Sequence, residues 1–361
     1  MRVFVCRPDE LGASEITAWQ AMQRATPAIA NPFLSPEFTL AVGRFQPGAR
    51  VAVLVDGQST VGFFPFERRR LGFSVPICGW PGSLCQGLVH VPGVEWDARE
   101  LLRQCQLSAW QFDHLVASQQ PFVPYHAVVA PSPAIDLSDG FASYYAKIQA
   151  KSPRFCKDLI RRGRRLGRDA GDLRFVINSC DTSSMRTLMV WKSEQYRRIG
   201  AIDRFDRPWI VGLLDALHAT RSEHVSSVLS FLYSGETPIA AQFGLRSGGL
   251  FAGWFTAYDH RFSKYSPGLL QTMRLTEGLA AVGVRTIDMG KGPENYKQKL
   301  KCRDFLRAEG IVSRASVLAA THRARSTSSQ WAARTLFQHP HLYHATRGVR
   351  SAAMSLMNSD H

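Results

Sequence analysis

Acidic residues are scarce: 29 Asp and Glu stand against 44 Lys and Arg, for a formal net charge of +15. A surplus of that size favours an anionic partner, such as a phosphorylated co-substrate, nucleic acid or an acidic membrane surface. Cysteine is sparse and scattered. The seven residues are odd in number and none are spaced C-x-x-C, which argues against a disulfide framework and against a zinc ribbon. A reducing cytoplasm is the expected home. No apolar run approaches the roughly 20 residues that span a bilayer, so any membrane contact is expected to be peripheral, at the inner face. The opening MRVFVCRPDE meets charge too early for a secretory signal. What remains is an ordinary apolar fraction, 45% over 361 residues, enough for two domains with packed cores.

The first half alternates short apolar runs with turn residues. Arg2 to Cys6 predicts a strand, and Leu11 to Arg24 a helix. Asn31-Pro-Phe-Leu-Ser-Pro-Glu-Phe predicts a turn and a helix start, with Ser35 as cap and Pro36 in the first turn. Residues 50–56 and 59–67 around Gly57 predict a hairpin, with Arg68-Arg69-Arg70 as its solvated end. The stretch 72–92 is rich in Gly, Pro and Cys and predicts loop with short strands. A helix over 97–106 and a strand over 110–116 follow, then a proline-rich connector to about residue 135.

The second half repeats the order of helix, hairpin, helix and strand without visible sequence repetition. Its first helix, predicted over 143–166, carries Lys147, Lys151, Arg154, Lys157, Arg161, Arg162, Arg164, Arg165 and Arg168. Asp172 to Asn178 predicts a strand, 183–198 and 208–220 helices, and 225–233 with 238–246 a hairpin. Leu250 to Tyr258 is apolar and aromatic and predicts a buried strand. Pro267 and Gly268 then open a helix to about Ala281, stopped by Gly283. Arg285 to Met289 predicts another strand, and Gly290-Lys291-Gly292-Pro293 turns into a helix from Glu294. Beyond Ile311 the chain carries no acidic residue until Asp360. Arg323, Arg325, Arg334, Arg347 and Arg350 alternate there with Trp331, Phe337 and Tyr343, as in a basic, partly amphipathic tail.

Several of these motifs, in this order, resemble a family. The run AYD…YSPG (Ala257 to Gly268) followed by IDMGKGPENYK (Ile287 to Lys297) is similar to CelD/BcsL-type acetyltransferases of the GNAT superfamily, relatives of the FemAB-like proteins. NPFLSPEF (Asn31 to Phe38), WKSEQY (Trp191 to Tyr196) and the basic helix are similar to that family too. The likeness covers about residues 1–315. It implies a tandem GNAT-like α/β (α+β) fold, with mixed sheets flanked by helices. The expected domains are 1–135, 136–315 and a tail at 316–361, with the acyl-CoA site in the second. It further implies acyl-CoA, acetyl or longer, as co-substrate without a metal, and transfer to an amino group of a glycan or lipid precursor. Three other activities are implied by relatives: ceramide formation from a long acyl chain, aminoacyl-tRNA-dependent transfer, and non-catalytic regulation of polysaccharide synthesis. The usual pyrophosphate loop, Gln/Arg-x-x-Gly-x-Gly/Ala, is absent. Lys264-Tyr265-Ser266-Pro267-Gly268-Leu269 stands in its place.

Ser266 to Leu270 can bind a phosphate, because a helix start presents N–H groups and a positive dipole end, and Gly268 lets an anion come close. A simple helix cap explains the same residues. Lys264 can add charge. By the resemblance, Phe255, Thr256 and Tyr258 line the pantetheine with their backbone. Asp288, at a strand end before a glycine turn, and Glu294 are the candidate bases; a turn cap or an ion pair with Lys291 explains Asp288 as simply. Tyr296 can protonate a leaving thiolate and Lys297 can bind phosphate, with core packing and surface charge as the plainer explanations. Trp191, Lys192, Gln195 and Tyr196 share one helix and can form an acceptor wall; any amphipathic helix explains them too. His260 is a further candidate near the acceptor, or an exposed loop residue. The basic helix and tail suit an anionic lipid surface, where each cation adds about 1 kcal/mol, or are simply a solvated face. Nucleic acid is the weaker partner, since aromatic residues scarcely interleave with these cations.

Overall fold

A computed structural model describes residues 1–314 apart from 80–81, 179–181, 221 and 293–294. The expected tail at 316–361 and Glu294 lie outside the described residues. In chain order, β1 (Arg2–Cys6) leads to helices α1 (Ala13–Ala25) and α2 (Pro36–Gly43), then to β2 (Ala49–Asp56) and β3 (Ser59–Arg68). Next come β4 (Phe73–Pro76), β5 (Val89–His90), α3 (Ala98–Gln104), β6 (Ala109–Val116) and β7 (His126–Asp136). Helices α4 (Gly140–Lys151) and α5 (Pro153–Ala170), strand β8 (Leu173–Val176), and helices α6 (Thr182–Arg198) and α7 (Pro208–Ala219) follow. The last elements are β9 (Val225–Ser234), β10 (Thr237–Ser247), β11 (Leu250–Tyr258), α8 (Pro267–Ala281), β12 (Thr286–Asp288), α9 (Asn295–Leu300) and β13 (Arg303–Ser313).

These elements fall into two compact units. One holds residues 1–132, 221–225 and 304–314; the other holds 133–220 and 226–303. In the first, the strands run β1-β2-β3-β4-β6-β13-β7. The β2–β3 hairpin pairs Ala49 with Glu67 and Asp56 with Ser59, as Gly57 between them predicts. Ser35 caps α2 by accepting from the Phe38 N–H at 3.1 Å, as the sequence predicts. Phe64, Phe66, Trp110, Phe112 and Phe122 form its core with Leu54, Leu101 and Leu102.

The second unit runs β7-β12-β11-β10-β9-β8. Its core is built from Tyr144, Ile148, Leu166, Leu232, Phe251, Leu275, Leu279, Ile287 and Leu300. The alternation of β9, β10 and β11 directs one set of side chains to this core, and the 3.6-residue period of α8 supplies Leu275 and Leu279 from above.

Four expectations fail. The single helix over 143–166 is two, because Pro153 has no N–H and forces Ser152 out of the helical region (φ −143°, ψ 63°). The connector before residue 135 contains β7, whose Ile135 pairs with Ile287 of β12. Its Pro131 and Pro133 lie two apart, so both missing donors face the same side of the strand. Residues 311–313 begin no tail but end β13, where Val312 pairs with Trp110. Finally, the solvated Arg68–Arg70 end contains a buried ion pair: Arg69 donates to Glu67 at 2.8 Å, and the Glu67 side chain is 2% exposed.

Candidate active site

Strands β11 and β12 run parallel only over Leu250–Ala252 and Thr286–Asp288. Beyond that point they part. The Met289 N–H bonds the Pro133 carbonyl at 3.0 Å and follows β7 instead, while β11 continues to Tyr258 with β10 alone beside it. A bulge marks the divergence. Phe243 pairs with Phe255 and Gly244 with Gly253, so Trp254 is the extra residue of the bulge.

The direction of the peptide groups along this stretch follows from two bonds. Ser230 Oγ donates to the Gln242 carbonyl at 3.2 Å, and the Asp259 N–H donates to the Ile239 carbonyl at 3.0 Å. Peptide groups alternate sides along a strand, so Ile239 faces β11 and Gln242 faces β9. Thr256, which stands opposite Gln242, therefore turns its own N–H and C=O away from β10 to the open edge. Lys192 Nζ reaches that edge from α6 and donates to the Thr256 carbonyl at 3.0 Å and to Gln195 Oε1 at 3.0 Å.

Around Lys192 the α6 residues gather as the sequence expects. Its ammonium lies 5.3 Å from the centroid of the Tyr196 ring, and the Arg204 guanidinium lies 5.8 Å from the same ring. Phe205 bridges Tyr196 (6.3 Å) and Phe255 (5.3 Å), and Trp191 tilts against Phe231. Lys192, Gln195, Tyr196 and Phe255 thus share one wall. Arg204 and Phe205 were not anticipated. They lie in a polar loop between helices, and nothing in their spacing points to β11.

At its far end β11 meets the start of α8. A turn of 3₁₀ helix over His260–Tyr265 is capped by Asp259, which accepts from the Arg261 N–H and pairs with its guanidinium at 2.6 Å. Those Arg261 bonds, the largest influence, hold the Asp259 carboxyl below the usual range. His260 and Lys264 stand exposed, and the Lys264 ammonium lies 4.9 Å from the Tyr265 ring centroid. Ser266 adopts a left-handed conformation (φ 56°, ψ 54°) and does not cap α8 with its side chain; its Oγ accepts from Arg162 of α5 instead. The Leu269 and Leu270 N–H groups both bond the Ser266 carbonyl, and Pro267 has none. Gly268 is the first amide that can face an anion, and a Cβ there would meet only Tyr258 Cδ1 at 3.5 Å.

Helix α5 is tied to the same turn. Tyr265 donates to Asp169 at 2.7 Å, and this bond, ahead of the Arg165 pair, lowers the Asp169 pKa. So α5 brings Arg162 to the α8 start from 104 residues away. Its role was legible only as a general excess of base.

The remaining candidates sit where β12 ends. Asp288 is 1% exposed and its Oδ1 accepts from the Gly290 N–H at 2.9 Å. It is both a turn cap and a carboxylate at the divergence. Tyr296 is half-buried against the core. Lys297 departs from expectation: it is buried and donates to the Gly290 carbonyl at 3.1 Å. That bond ties α9 to the glycine turn. The structure thus gathers one group at the α6–β11 wall and another at the α8 start. His260 joins neither. Among the described residues, no three His, Cys, Asp or Glu side chains converge to hold a metal. Nor is any described helix long and apolar enough to cross a membrane.

Comparison with known proteins bears on the fold. Residues 154–298 match the family model described as acetyltransferase (GNAT) domain, and that span runs from α5 through α9. No curated protein matches the chain. Three solved structures share the fold at low identity. FemX aligns with TM-score 0.56 at 11% identity, over 86% of this chain and 96% of its own. A protein of unknown function from Bacteroides thetaiotaomicron aligns with TM-score 0.52 at 8% identity, over 84% and 98%. The C-terminal domain of a chain assigned as a lysylphosphatidylglycerol synthetase from Agrobacterium fabrum aligns with TM-score 0.51 at 10% identity, over 86% and 96%. The mixed α/β fold expected from the sequence, a mixed sheet flanked by helices, is therefore the fold of this chain, and it is shared with these three structures.

Proposed function

We propose that the protein is an acyl-CoA-dependent N-acyltransferase of the CelD/BcsL type, acting on an amino group of a surface-glycan or lipid precursor. One observation carries this: an open edge of β11, beginning at a bulge, leads directly to a helix start flanked by Arg162 and Lys264. The fit to acyl-CoA follows from the donor set. Gly268 supplies an amide without a covering side chain, and the guanidinium of Arg162 suits a diphosphate oxygen better than a point charge does. The Thr256 peptide group, turned to the open edge, suits the amide-rich pantetheine.

A thioester held along that edge brings its carbonyl to the divergence, next to Asp288. The acceptor amine approaches along the wall of Lys192, Tyr196 and Phe205. Its nitrogen forms a bond to the carbonyl carbon, the carbon–sulfur bond breaks, and the thiolate leaves. Asp288 takes the amine proton, directly or through water, and the proton ends on the thiolate. Peptide N–H groups at the bulge hold the oxyanion. Exposed Arg154, Lys157, Arg161, Arg164 and Arg168 recur at helical spacing along α5, a stripe about 20 Å long. It supports attraction of the protein to anionic lipid at the cytoplasmic face, where such an acceptor would be presented.

Calorimetry with free CoA and acetyl-CoA, on the wild type and on Gly268→Glu, tests the reading. A carboxylate in the first turn favours α8 itself, so the variant keeps its fold while repelling a diphosphate. Binding by the wild type and none by the variant is expected. Equal behaviour of the two proteins would overturn the assignment.

A further inference from the structure

The floor of the divergence holds a polar group that the mechanism above does not use. Gln242 of β10 is 8% exposed, and its Oε1 has no hydrogen-bond partner. Its amide nitrogen lies 2.9 Å from where a Cβ on Gly253 would stand, and that same point is 3.8 Å from the Asp288 carbonyl oxygen. Gly253 therefore leaves room for the Gln242 amide at the place where β11 and β12 part. Any side chain at 253 would displace it.

The position is held firmly from behind. Gln271 of α8, fully buried, donates to Ser230 Oγ at 2.8 Å, and Ser230 Oγ donates to the Gln242 carbonyl. That chain fixes the β10 backbone where the side chain departs. Gln271 Oε1 is itself a second buried acceptor without a partner. Buried amide oxygens are almost always satisfied, and leaving one unsatisfied is costly. At the divergence, a donor carried by a bound ligand can satisfy the Gln242 oxygen.

We propose that Gln242 selects the acyl group, favouring short acyl chains that carry an O–H or N–H donor a few atoms beyond the carbonyl over plain alkyl chains. This rests on the acyl-CoA reading, which runs the thioester from the α8 start along β11 to the Gly253–Asp288 divergence. The acyl group then ends beside Gln242, and a donor on it satisfies Oε1. An alkyl chain of equal length leaves that oxygen unpaired.

The test measures dissociation constants for free CoA, butyryl-CoA and 3-hydroxybutyryl-CoA by calorimetry, on the wild type and on Gln242→Met, an apolar replacement of similar length. The wild type is expected to bind the hydroxyacyl thioester about five- to tenfold tighter than butyryl-CoA, the size of one added hydrogen bond. Gln242→Met is expected to erase that ratio while binding free CoA unchanged. Equal affinities for the two thioesters in the wild type overturn the proposal even if the variant fails to fold. A preference that survives in Gln242→Met overturns it as well. Failure of the wild type to bind free CoA removes the acyl-CoA reading and this inference together, so the two failures are told apart.

Discussion

Lys192 Nζ lies 3.0 Å from the carbonyl oxygen of Thr256, on the side of β11 that no strand among the described residues covers. A strand edge normally needs a neighbour to satisfy its peptide groups. Here a side chain from α6 does part of that work, and Gln195 Oε1 steadies the ammonium.

Replacing Lys192 with Met removes a charge-assisted bond but keeps the apolar stem. The expected cost is about 1.5–3 kcal/mol, read as a lower denaturant midpoint at constant slope. An unchanged midpoint would show that the edge of β11 does not depend on this contact.

Arg162→Ala should weaken free CoA about tenfold, because it withdraws the guanidinium from the α8 start. The wild-type affinity should fall more steeply than the variant's as salt is raised. Identical salt slopes would mean that Arg162 only anchors Ser266.

Asp288→Asn preserves an oxygen that can accept from the Gly290 N–H, so the glycine turn should persist. Thiol release from acetyl-CoA in the presence of a panel of primary amines is expected to drop by about 10² or more, the usual loss of a general base. Full turnover in the variant would remove Asp288 from the chemistry and leave it as a turn cap.

Glu67 supplies a pH prediction in the first unit. Burial pushes its carboxyl up to about 7, against the opposing pull of Arg69 and of the Cys78 backbone. The 2.8 Å ion pair would by itself lower it; full burial without a second partner on Oε1 is the stronger influence. Because the folded value lies above the ordinary 4.5, its stabilising contribution is complete below about 4.5 and is lost as pH rises through about 7. Glu67→Gln should flatten unfolding midpoints across that window. A slope that persists in the variant would assign it to another group.

Much of the frame was legible because local rules governed it. Ser35 and Pro36 announced α2, Gly57 the hairpin, and Pro267 the start of α8. The wall of Lys192, Gln195 and Tyr196 followed from helical spacing alone. Pro153 also carried its signal, the end of one helix and the beginning of another, but the run of base on both sides masked it. β7 was hidden because its prolines read as linker, although an antiparallel neighbour tolerates them when their missing donors share a side. Arg162 with Ser266, and Gln242 with Gly253, are products of topology. The first pair is separated by 104 residues, and no periodicity links either.

The extra residue at Trp254 makes chain length, more than side-chain identity, the constraint on this region. A substitution there keeps the phase of everything downstream. Deleting one residue between Gly253 and Phe255 would leave an even ladder with β10, with Thr256 still opposite Gln242, and would take away the extra backbone amide that the bulge supplies at the divergence. Homologues that keep the site are thus expected to vary freely in what occupies position 254 while never losing the position itself.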